Sequence, residues 1–371
     1  MSPPQLRISA VTVFTVRIAA RTVHSHGIGD VADATNVILR LDTDAGITGW
    51  GEAAPWTIFT GSPEASAAAL DVYLRPLLLG ADPFRIEALS AAAAHTVVHC
   101  TEVKAALEMA LFDIVGKALG ISVCDLLGGR VRDEIPLSFS VADPDFGRDL
   151  ELAGHLYGEG IRLFKVKTGF ADHADDLRRL TRLRETLPDD AEIRVDYNQG
   201  IEPWEAIRRL RDIEAFRPTF IEQPVPADQY DALAAITAAL DTPVMADESV
   251  FTPADALRVA GRHMADLISI KVQKSGGMLR ARDIAAIAAA GGLACYGGDM
   301  FETGIGCTAG AHLIAATPNI SLGREFYQPT YYLAEDLLAR PFPVRHGKVQ
   351  VPTAPGLGIE VDEDRLARHR I

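Results

Sequence analysis

Three carboxylates stand at nearly even intervals along the chain, each at the C-terminal end of an apolar run: Asp196, Glu222 and Asp247. Lys167 precedes this series and Lys271 follows it, so the successive steps are 29, 26, 25 and 24 residues. Each step accommodates one strand and one helix. Parallel strands that return at this pitch, with a charge at the same end, are typical of a (β/α) barrel. The five side chains are therefore predicted to share one site above the barrel, where the strand ends converge.

Alternating strand and helix patterns predict the eight strands that can close such a barrel. The predicted strands are 136–141, 163–168, 192–198, 219–223, 244–248, 267–272, 293–297 and 320–325, separated by amphipathic helices such as 204–216 and 278–290. Ahead of them, a strand from Ile8 and a hairpin that turns at 44–46 precede a helix that begins near Thr101. This order predicts an α/β protein with a TIM-type barrel and a separate α+β unit.

The glycines at 128–129 mark a boundary, because the helical pattern stops there and the alternation changes character. We expect an α+β capping domain over residues 1–130 and a catalytic barrel over residues 131–335. Residues 336–371 contain a strand signal at 348–351 and cannot add a ninth barrel strand. They are expected to return to the capping domain, which would then be built from both termini.

Composition excludes several classes of function. The chain has 371 residues and a net charge of −14, without a basic cluster that could bind a nucleic-acid backbone. The four cysteines have no metal-binding spacing and are too few for a disulfide framework. No signal peptide and no apolar run of membrane-spanning length is recognised. We therefore expect a cytoplasmic protein with no nucleic-acid or membrane partner.

Three acids that converge on one site repel one another unless a cation lies between them. Oxygen ligands favour a hard dication, so Mg²⁺ is the expected metal on Asp196, Glu222 and Asp247, with Mn²⁺ as the alternative. The lack of histidine and cysteine at these positions argues against zinc. For a single acid at a strand end a surface position is as good an explanation, but for three in register it is a poor one.

The lysines are predicted to stand on both sides of this metal. Lys165 and Lys167 belong to the second predicted strand and Lys271 to the sixth, and these strands face each other in an eight-stranded ring. A nearby dication and a neighbouring lysine are expected to lower the lysine pKa toward neutrality, which would make a general base. This arrangement suits removal of the proton α to a carboxylate, to give a metal-stabilised enolate. Two bases would permit epimerisation, while one base and one acid would permit elimination or cycloisomerisation.

The motifs that carry these residues resemble the enolase superfamily, and specifically the muconate-lactonizing (muconate cycloisomerase) subgroup of mandelate racemase/muconate lactonizing enzymes. They are Lys-x-Lys at 165–167, Asp-x-Asn at 196–198, Glu-Gln-Pro at 222–224, Asp-Glu-Ser at 247–249, Lys-x-x-Lys-x-Gly-Gly at 271–277 and the segment 296–306. The likeness spans almost the whole chain.

The resemblance implies a modified (β/α)7β barrel, Mg²⁺ on the three acids, and a lyase or isomerase in which Lys165 supports Lys167 and Lys271. It places Asn198 beside the metal and Asp299 and Glu302 near the substrate. It also implies a homo-oligomer, from dimer to octamer.

Substrate identity rests on the expected charges around the site. The loop 22–39 has no lysine or arginine that could meet the second carboxylate of muconate, and Glu325 stands where dipeptide epimerases of the subgroup hold a substrate ammonium. Trp56 could form an apolar lid. We therefore favour a small amino or imino acid, as in a cis-3-hydroxyproline-type dehydratase, over muconate cycloisomerisation, with epimerisation of a proline derivative or dipeptide third. A non-enzymatic binding protein would not need two desolvated amines, and a metal-dependent aldolase fits poorly.

Overall fold

The computed structural model describes residues 5–371, so residues 1–4 of the first predicted domain lie outside the described residues. The N-terminal unit begins with an antiparallel sheet of three strands in the order β1 (Ile8–His26), β2 (Gly29–Thr43) and β3 (Thr48–Ala53). The hairpin between β2 and β3 confirms the predicted turn at 44–46. Gly46, with a φ of +75°, provides the left-handed backbone that this turn needs.

Helices follow the sheet and cover one of its faces. They are α1 (Pro63–Ala68), a π-helical turn (Ala69–Leu74), α2 (Arg75–Leu78), α3 (Ile86–Thr96), α4 (Thr101–Leu119) and α5 (Val123–Leu126). Helix α4 packs directly on β3, where a Cβ on Gly51 would lie 1.9 Å from the carbonyl oxygen of Ala106. Glycine at this position therefore allows the two backbones to meet.

Helix α4 joins the N-terminal unit to the barrel, and it is buried nearly all round. Three of its buried residues are acids, and each has donors in another segment. Oγ of Ser66 donates to Glu102 (2.9 Å), the N–H of Leu279 donates to Glu108 (3.0 Å), and the N–H groups of Trp50 and Leu357 donate to Asp113 (3.1 and 2.9 Å). This one helix thus fixes β3, a barrel helix and the C-terminal segment.

The barrel is a sheet of eight parallel strands, which an isolated bridge between Leu137 and Arg324 closes. The short strand β4 (Glu134–Pro136) leads into barrel strands β5 (Ser138–Val141), β6 (Leu163–Lys167), β7 (Glu192–Asp196), β8 (Ile221–Glu222), β9 (Val244–Ala246), β10 (Leu267–Ile270), β11 (Ala294–Gly297) and β12 (Ile320–Arg324). Helical connections lie between successive strands: α6 (Phe146–Gly158), α7 (His173–Thr186), α8 (Pro203–Glu214), α9 (Tyr230–Ala239), α10 (Pro253–Gly261), α11 (Val272–Ser275) with α12 (Met278–Ala290), and α13 (Gly304–Ala316). This is the predicted (β/α)7β arrangement.

The C-terminal segment divides between the two units. After a π-helical turn (Gln328–Tyr332), strand β13 (Val344–Arg345) pairs with β14 (Lys348–Gln350), and β14 pairs with β4 at the entry to the barrel. The expectation that the 348–351 strand packs on the N-terminal unit is therefore wrong. The final helix α14 (Glu363–His369) does reach that unit, because the N–H of Ile371 donates to Thr15 in β1 at 3.0 Å. The domain limits at 130 and 335 stay a prediction.

Two hydrophobic clusters follow this division. The first fills the space between the N-terminal sheet and α1–α4, with Val37, Leu39 and Leu107 fully buried. The second surrounds the barrel strands and extends to the underside of β1 and β2. Within residues 5–371, no helix has both the length and the apolar character needed to cross a membrane.

Candidate active site

The three predicted acids lie at adjacent strand ends and are fully buried. Asp196 ends β7, Glu222 ends β8 and Asp247 follows β9 directly, with exposures of 1%, 0% and 0%. The lysines meet them as ion pairs. Lys165 contacts Glu222 (2.7 Å) and Asp196 (3.1 Å), Lys167 contacts Asp196 (2.6 Å), and Lys271 contacts Asp247 (2.6 Å). The five residues of the even series are therefore brought together as their spacing predicted.

Two residues just beyond strand ends adopt left-handed backbone, which is uncommon outside glycine. Asn198 has a φ of +39° and Gln223 a φ of +30°. The side chain of Asn198 accepts from Lys167 Nζ (3.0 Å), and that of Gln223 accepts from the N–H of Asp247 (3.0 Å). Strained backbone at both places thus serves to aim a side chain at a residue of the site.

A fourth lysine supports Asp247 from below. Lys274 is fully buried in α11, and its Nζ donates to Asp247 Oδ1 (2.7 Å), to the carbonyl of Asp247 (2.7 Å) and to that of Ser269 (3.0 Å). All three donor positions of this ammonium are used. Lys274 therefore has a fixed place, whereas Lys271 faces a cavity.

That cavity lies above the acids and is small, at about 20 Å³. It is lined by His26, Trp56, Ser140, Lys167, Asn198, Lys271, Asp299, Met300, Phe301, Glu325, Tyr327 and Gln328. Six predicted site residues are among these. A cavity of this size holds roughly one water molecule, so the side chains that close it must move before a larger molecule can enter.

The remaining predicted residues lie outside the lining. Lys165 and the three acids lie beneath the cavity and form its floor. Glu302 lies behind the wall that residues 299–301 form, and its Oε2 accepts the N–H of Met300 at 2.6 Å. The sequence placed Glu302 facing the substrate, but its carboxylate is turned into its own loop. Asp299, three residues earlier in the chain, is the acid that reaches the cavity.

Glu325 is shared between the wall and the floor. Its Oε1 accepts from Ser140 Oγ and its Oε2 from Lys165 Nζ, both at 2.7 Å. Asp299, in contrast, has an Oδ2 atom without a hydrogen-bond partner among the described residues. Burial, together with Glu325 and Glu302, raises the pKa of Asp299 well above its usual range. The wall is therefore short of positive charge.

The charges in the floor shift one another. Burial raises the pKa of Glu222 to about 8, and the negative charge of Asp196 adds to this effect. Burial alone would lower the pKa of Lys271, but Asp247, Glu222 and Glu248 raise it overall. In this arrangement the carboxylates pair directly with the ammonium groups. The lowered lysine pKa expected beside a bound dication concerns the metal-loaded site and stays a prediction.

Residues 8–128 match the family described as "Mandelate racemase / muconate lactonizing enzyme, N-terminal domain", and residues 149–365 match the family described as "Enolase C-terminal domain-like". The chain belongs to the enolase superfamily. Muconate cycloisomerase 1 of Acinetobacter baylyi is 32% identical over 369 residues, which cover 97% of this chain and 99% of that protein. The L-Ala-D/L-Glu epimerase of Bacillus subtilis is 35% identical over 356 residues, covering 95% and 94%.

A solved structure of a muconate cycloisomerase from Azorhizobium caulinodans superposes with a TM-score of 0.86 at 48% identity, and the match covers 99% of both chains. These similarities extend over the barrel and the N-terminal unit together. They confirm the predicted family and fold, and they identify the protein as an enzyme of the superfamily.

Enzymes of the superfamily generally use Mg²⁺, and the donor chemistry of the floor fits a dication. Among the described residues no three acids, histidines or cysteines form a closed cage, since each acid is drawn toward a lysine. Glu222 Oε1 nevertheless lacks a hydrogen-bond partner within residues 5–371. Floor and wall together contain two more carboxylates than cations. The buried acids are Asp196, Glu222, Asp247, Glu248, Asp299, Glu302 and Glu325, and the buried cations are Lys165, Lys167, Lys271, Lys274 and Arg324.

Several residues that line the cavity were not predicted from the sequence. His26 ends β1, Ser140 lies in β5, and Tyr327 and Gln328 lie at the start of the π-helical turn, where no quoted motif marks them. Phe301 lies within the quoted segment 296–306 but had no assigned role. Gln223 and Lys274 were within the quoted motifs without an assigned role. For Lys274 the signal was present, because it lies three residues after Lys271 at a predicted barrel-strand end, where a second lysine is unusual.

Proposed function

We propose that this enzyme removes the proton α to a substrate carboxylate, with Lys167 and Lys271 as the acid/base residues on opposite sides of the substrate. The observation that carries the proposal is the placement of these lysines on one cavity. They come from β6 and from the end of β10, which stand four strands apart in an eight-stranded ring. A substrate between them would present one face to each ammonium or amine.

The other buried groups have supporting roles in this proposal. Asp196, Glu222 and Asp247 would hold a Mg²⁺ ion, or Mn²⁺ in its place, which when bound would neutralise the substrate carboxylate and the floor acids that now raise the lysine pKa. Lys165 balances Glu222 and Glu325, since it lies 2.7 Å from each. Asn198 orients Lys167 through its 3.0 Å hydrogen bond.

The substrate that we propose is a small amino or imino acid, and a cis-3-hydroxyproline-type dehydratase is the specific activity. In that reaction one lysine removes the α-proton, and the β-hydroxyl leaves with a proton from the opposite lysine. The support is the acidic wall: Asp299 Oδ2 has no hydrogen-bond partner among the described residues, and a substrate ammonium beside it would donate one and favour the ionised carboxylate.

Muconate cycloisomerisation is the second candidate, because relatives that match nearly the full chain are muconate cycloisomerases. Epimerisation is the third, since a relative that matches 95% of this chain is an L-Ala-D/L-Glu epimerase. Against muconate, its second carboxylate would meet Asp299 and Glu325, while the nearby cation Arg324 does not line the cavity. Burial and then Lys167 lower the pKa of His26 well below its usual range, so this side chain is neutral.

Exchange of the α-hydrogen in D₂O tests the proposal. The panel contains proline, cis-3-hydroxyproline, simple amino acids, a dipeptide and muconate, each with Mg²⁺ and with EDTA. We expect deuterium incorporation or elimination with an imino acid, and loss of both with EDTA. No reaction with any carboxylate, or full reaction in EDTA, would overturn the mechanism.

Asp299→Asn separates the candidate substrates. If Asp299 meets a substrate ammonium, the variant should raise KM for the imino acid by about 10-fold, as expected when one charged hydrogen bond is removed. If the substrate is muconate, removal of the negative charge should lower KM instead. Steady-state kinetics of both substrates with both proteins distinguish these outcomes.

A further inference from the structure

A second buried network connects the Trp56 segment, which covers the cavity, to the side of the cavity that carries Lys271. At its centre is Glu52, near the end of β3 and fully buried. Its Oε1 accepts from Asn36 Nδ2 (2.7 Å) and from the N–H of Thr303 (2.9 Å). Its Oε2 accepts from Thr303 Oγ1 (2.9 Å) and from the N–H of Gly306 (2.8 Å). All four partners are neutral donors.

The donors at Thr303 and Gly306 belong to the first turn of α13, where the N–H groups have no partner within the helix. Glu52 therefore supplies a carboxylate at the positive end of this helix dipole. Gly306 allows the approach, since a Cβ there would lie 3.0 Å from Glu52 Oε2. Asn36 adds a bond to the carbonyl of Phe301 at 2.8 Å. The N-terminal sheet thereby holds the loop that presents Asp299.

Gln273 connects the end of β3 to the side of the cavity that carries Lys271. It lies two residues after Lys271 and is fully buried. Its Nε2 donates to the carbonyl of Glu52 (3.0 Å), and its Oε1 accepts from the N–H of Ala54 (3.1 Å). The side-chain amide of Gln273 thus hydrogen-bonds to the backbone of 52–54 in the way that a neighbouring β-strand would. Two residues further along the chain is Trp56, which covers the cavity.

We propose that Glu52 and Gln273 are positioning residues, which set the place of Lys271 and of the Asp299 loop relative to the Trp56 lid. The assignment rests on the proposed function of Lys271, but the physical coupling does not. One element, the end of β3, contacts both walls through side chains that touch no substrate. A shift of that element would therefore move both walls together.

Hydrogen–deuterium exchange of the backbone tests the coupling without any substrate. In Glu52→Gln we expect amides of 299–306 to exchange about 10-fold faster, and the increase to extend to 272–276, because a local opening energy is lowered across the network. In Gln273→Met, which keeps the length of the side chain, we expect faster exchange at 53–61. Changes confined to the mutated segment in both variants would overturn the proposal.

Glu108→Gln is the matched control. Glu108 is equally buried at the same boundary and also accepts a backbone N–H at the start of a helix, that of Leu279. It makes no bond to the Trp56 segment or to Lys271. Its loss should leave exchange at 53–61 and 272–276 unchanged. Equal changes in the control would show a general loosening of the boundary and would also overturn the assignment.

A functional readout then distinguishes positioning from simple stabilisation. With D- and L-proline in D₂O, Gln273→Met should reduce α-exchange on the Lys271 face at least several-fold more than on the Lys167 face. A reduction equal on both faces would contradict the positioning role while leaving the proposed function intact. If the wild-type enzyme exchanges neither enantiomer, that result counts against proline as a substrate, and the hydrogen-exchange experiment alone decides the coupling.

Discussion

Two sets of buried carboxylates in this protein are stabilised in opposite ways. At the boundary between the N-terminal unit and the barrel, Glu52 and Glu108 accept hydrogen bonds from neutral groups, most of them backbone N–H groups. In the barrel floor, Asp196 and Asp247 pair with lysine ammonium groups at 2.6 Å. Both sets are as deeply buried as each other, so burial alone does not indicate which acids belong to a reactive site.

The two sets of carboxylates differ in the chemistry of the groups that donate hydrogen bonds to them. A backbone N–H is fixed by its helix or loop and cannot gain or lose a proton, so it holds a carboxylate in one place. A lysine carries its charge on a flexible stem, and its protonation responds to neighbouring charges. Neutral donors therefore indicate a structural acid, whereas ammonium partners that also line a cavity indicate chemistry.

The largest effect that we expect is on catalysis, from loss of a cavity lysine. Lys271→Ala should lower turnover by about 10²–10⁴-fold, the usual contribution of a general acid or base. The control is Lys117→Ala, which removes a lysine paired with a buried acid of α4, Asp113, at 2.7 Å, away from the cavity. It should reduce stability and leave turnover unchanged. Similar losses of turnover in both variants would erase the distinction between the two sets.

Next in size is a pH effect on stability at the boundary. Burial raises the pKa of Glu108 from 4.5 to about 7, and nearby Glu87 contributes while Arg280 opposes. The folded chain then binds this proton more tightly than the unfolded chain, so the stabilisation is complete below the unfolded pKa and is lost as pH rises through the folded one. The amide side chain of Glu108→Gln does not titrate, so this variant does not lose the stabilisation as pH rises.

Between about pH 5 and about pH 8, the wild-type protein should therefore lose roughly 2–4 kcal/mol of unfolding free energy relative to Glu108→Gln. Urea unfolding of both proteins across this range measures the difference, because titrations elsewhere are common to the two. A constant difference would mean that Glu108 is ionised throughout and that its neutral donors are sufficient to hold the charge.

The third expected effect, similar in size to the second, is the stabilisation by metal. Mg²⁺ at about 100 times its dissociation constant should stabilise the wild-type fold by about 2.7 kcal/mol through binding to the native state. Asp247→Asn should abolish most of this gain, while Glu108→Gln should retain it. Thermal unfolding with and without Mg²⁺ reports both, and an equal response of the two variants would remove the reason to separate floor acids from boundary acids.

The floor was predictable from sequence because a repeating strand and helix places each charge at a countable position. Asp196, Glu222 and Asp247 needed only their spacing to be grouped, and the lysines only their strand order. The fold followed from the same pattern. The side chains on the wall were less accessible: Glu302 and Asp299 lie three residues apart on one loop, and only the path of its backbone decides which one reaches the cavity.

The boundary was not predictable, because its partners are far apart in sequence and carry no charge. Glu108 in α4 reads as an ordinary polar helix position, and its donor is a backbone N–H 171 residues later. Glu52 reads as the end of a hairpin strand. The pairing of β14 with β4 was missed for a related reason, since a short alternating segment can add to any exposed strand edge.

The trans-capping of α12 by Glu108 also bears on how such chains can recombine. A chimera that joined the N-terminal unit of one relative to the barrel of another would keep the first hydrophobic cluster whole but would divide the second, which includes residues of β1 and β2. It would also place α4 of one parent against the helix start of the other, so the acid at 108 and the Gly277-Met-Leu279 turn would need to be inherited together. Exchange of whole units between relatives is therefore expected to succeed only when this pair of segments comes from the same parent.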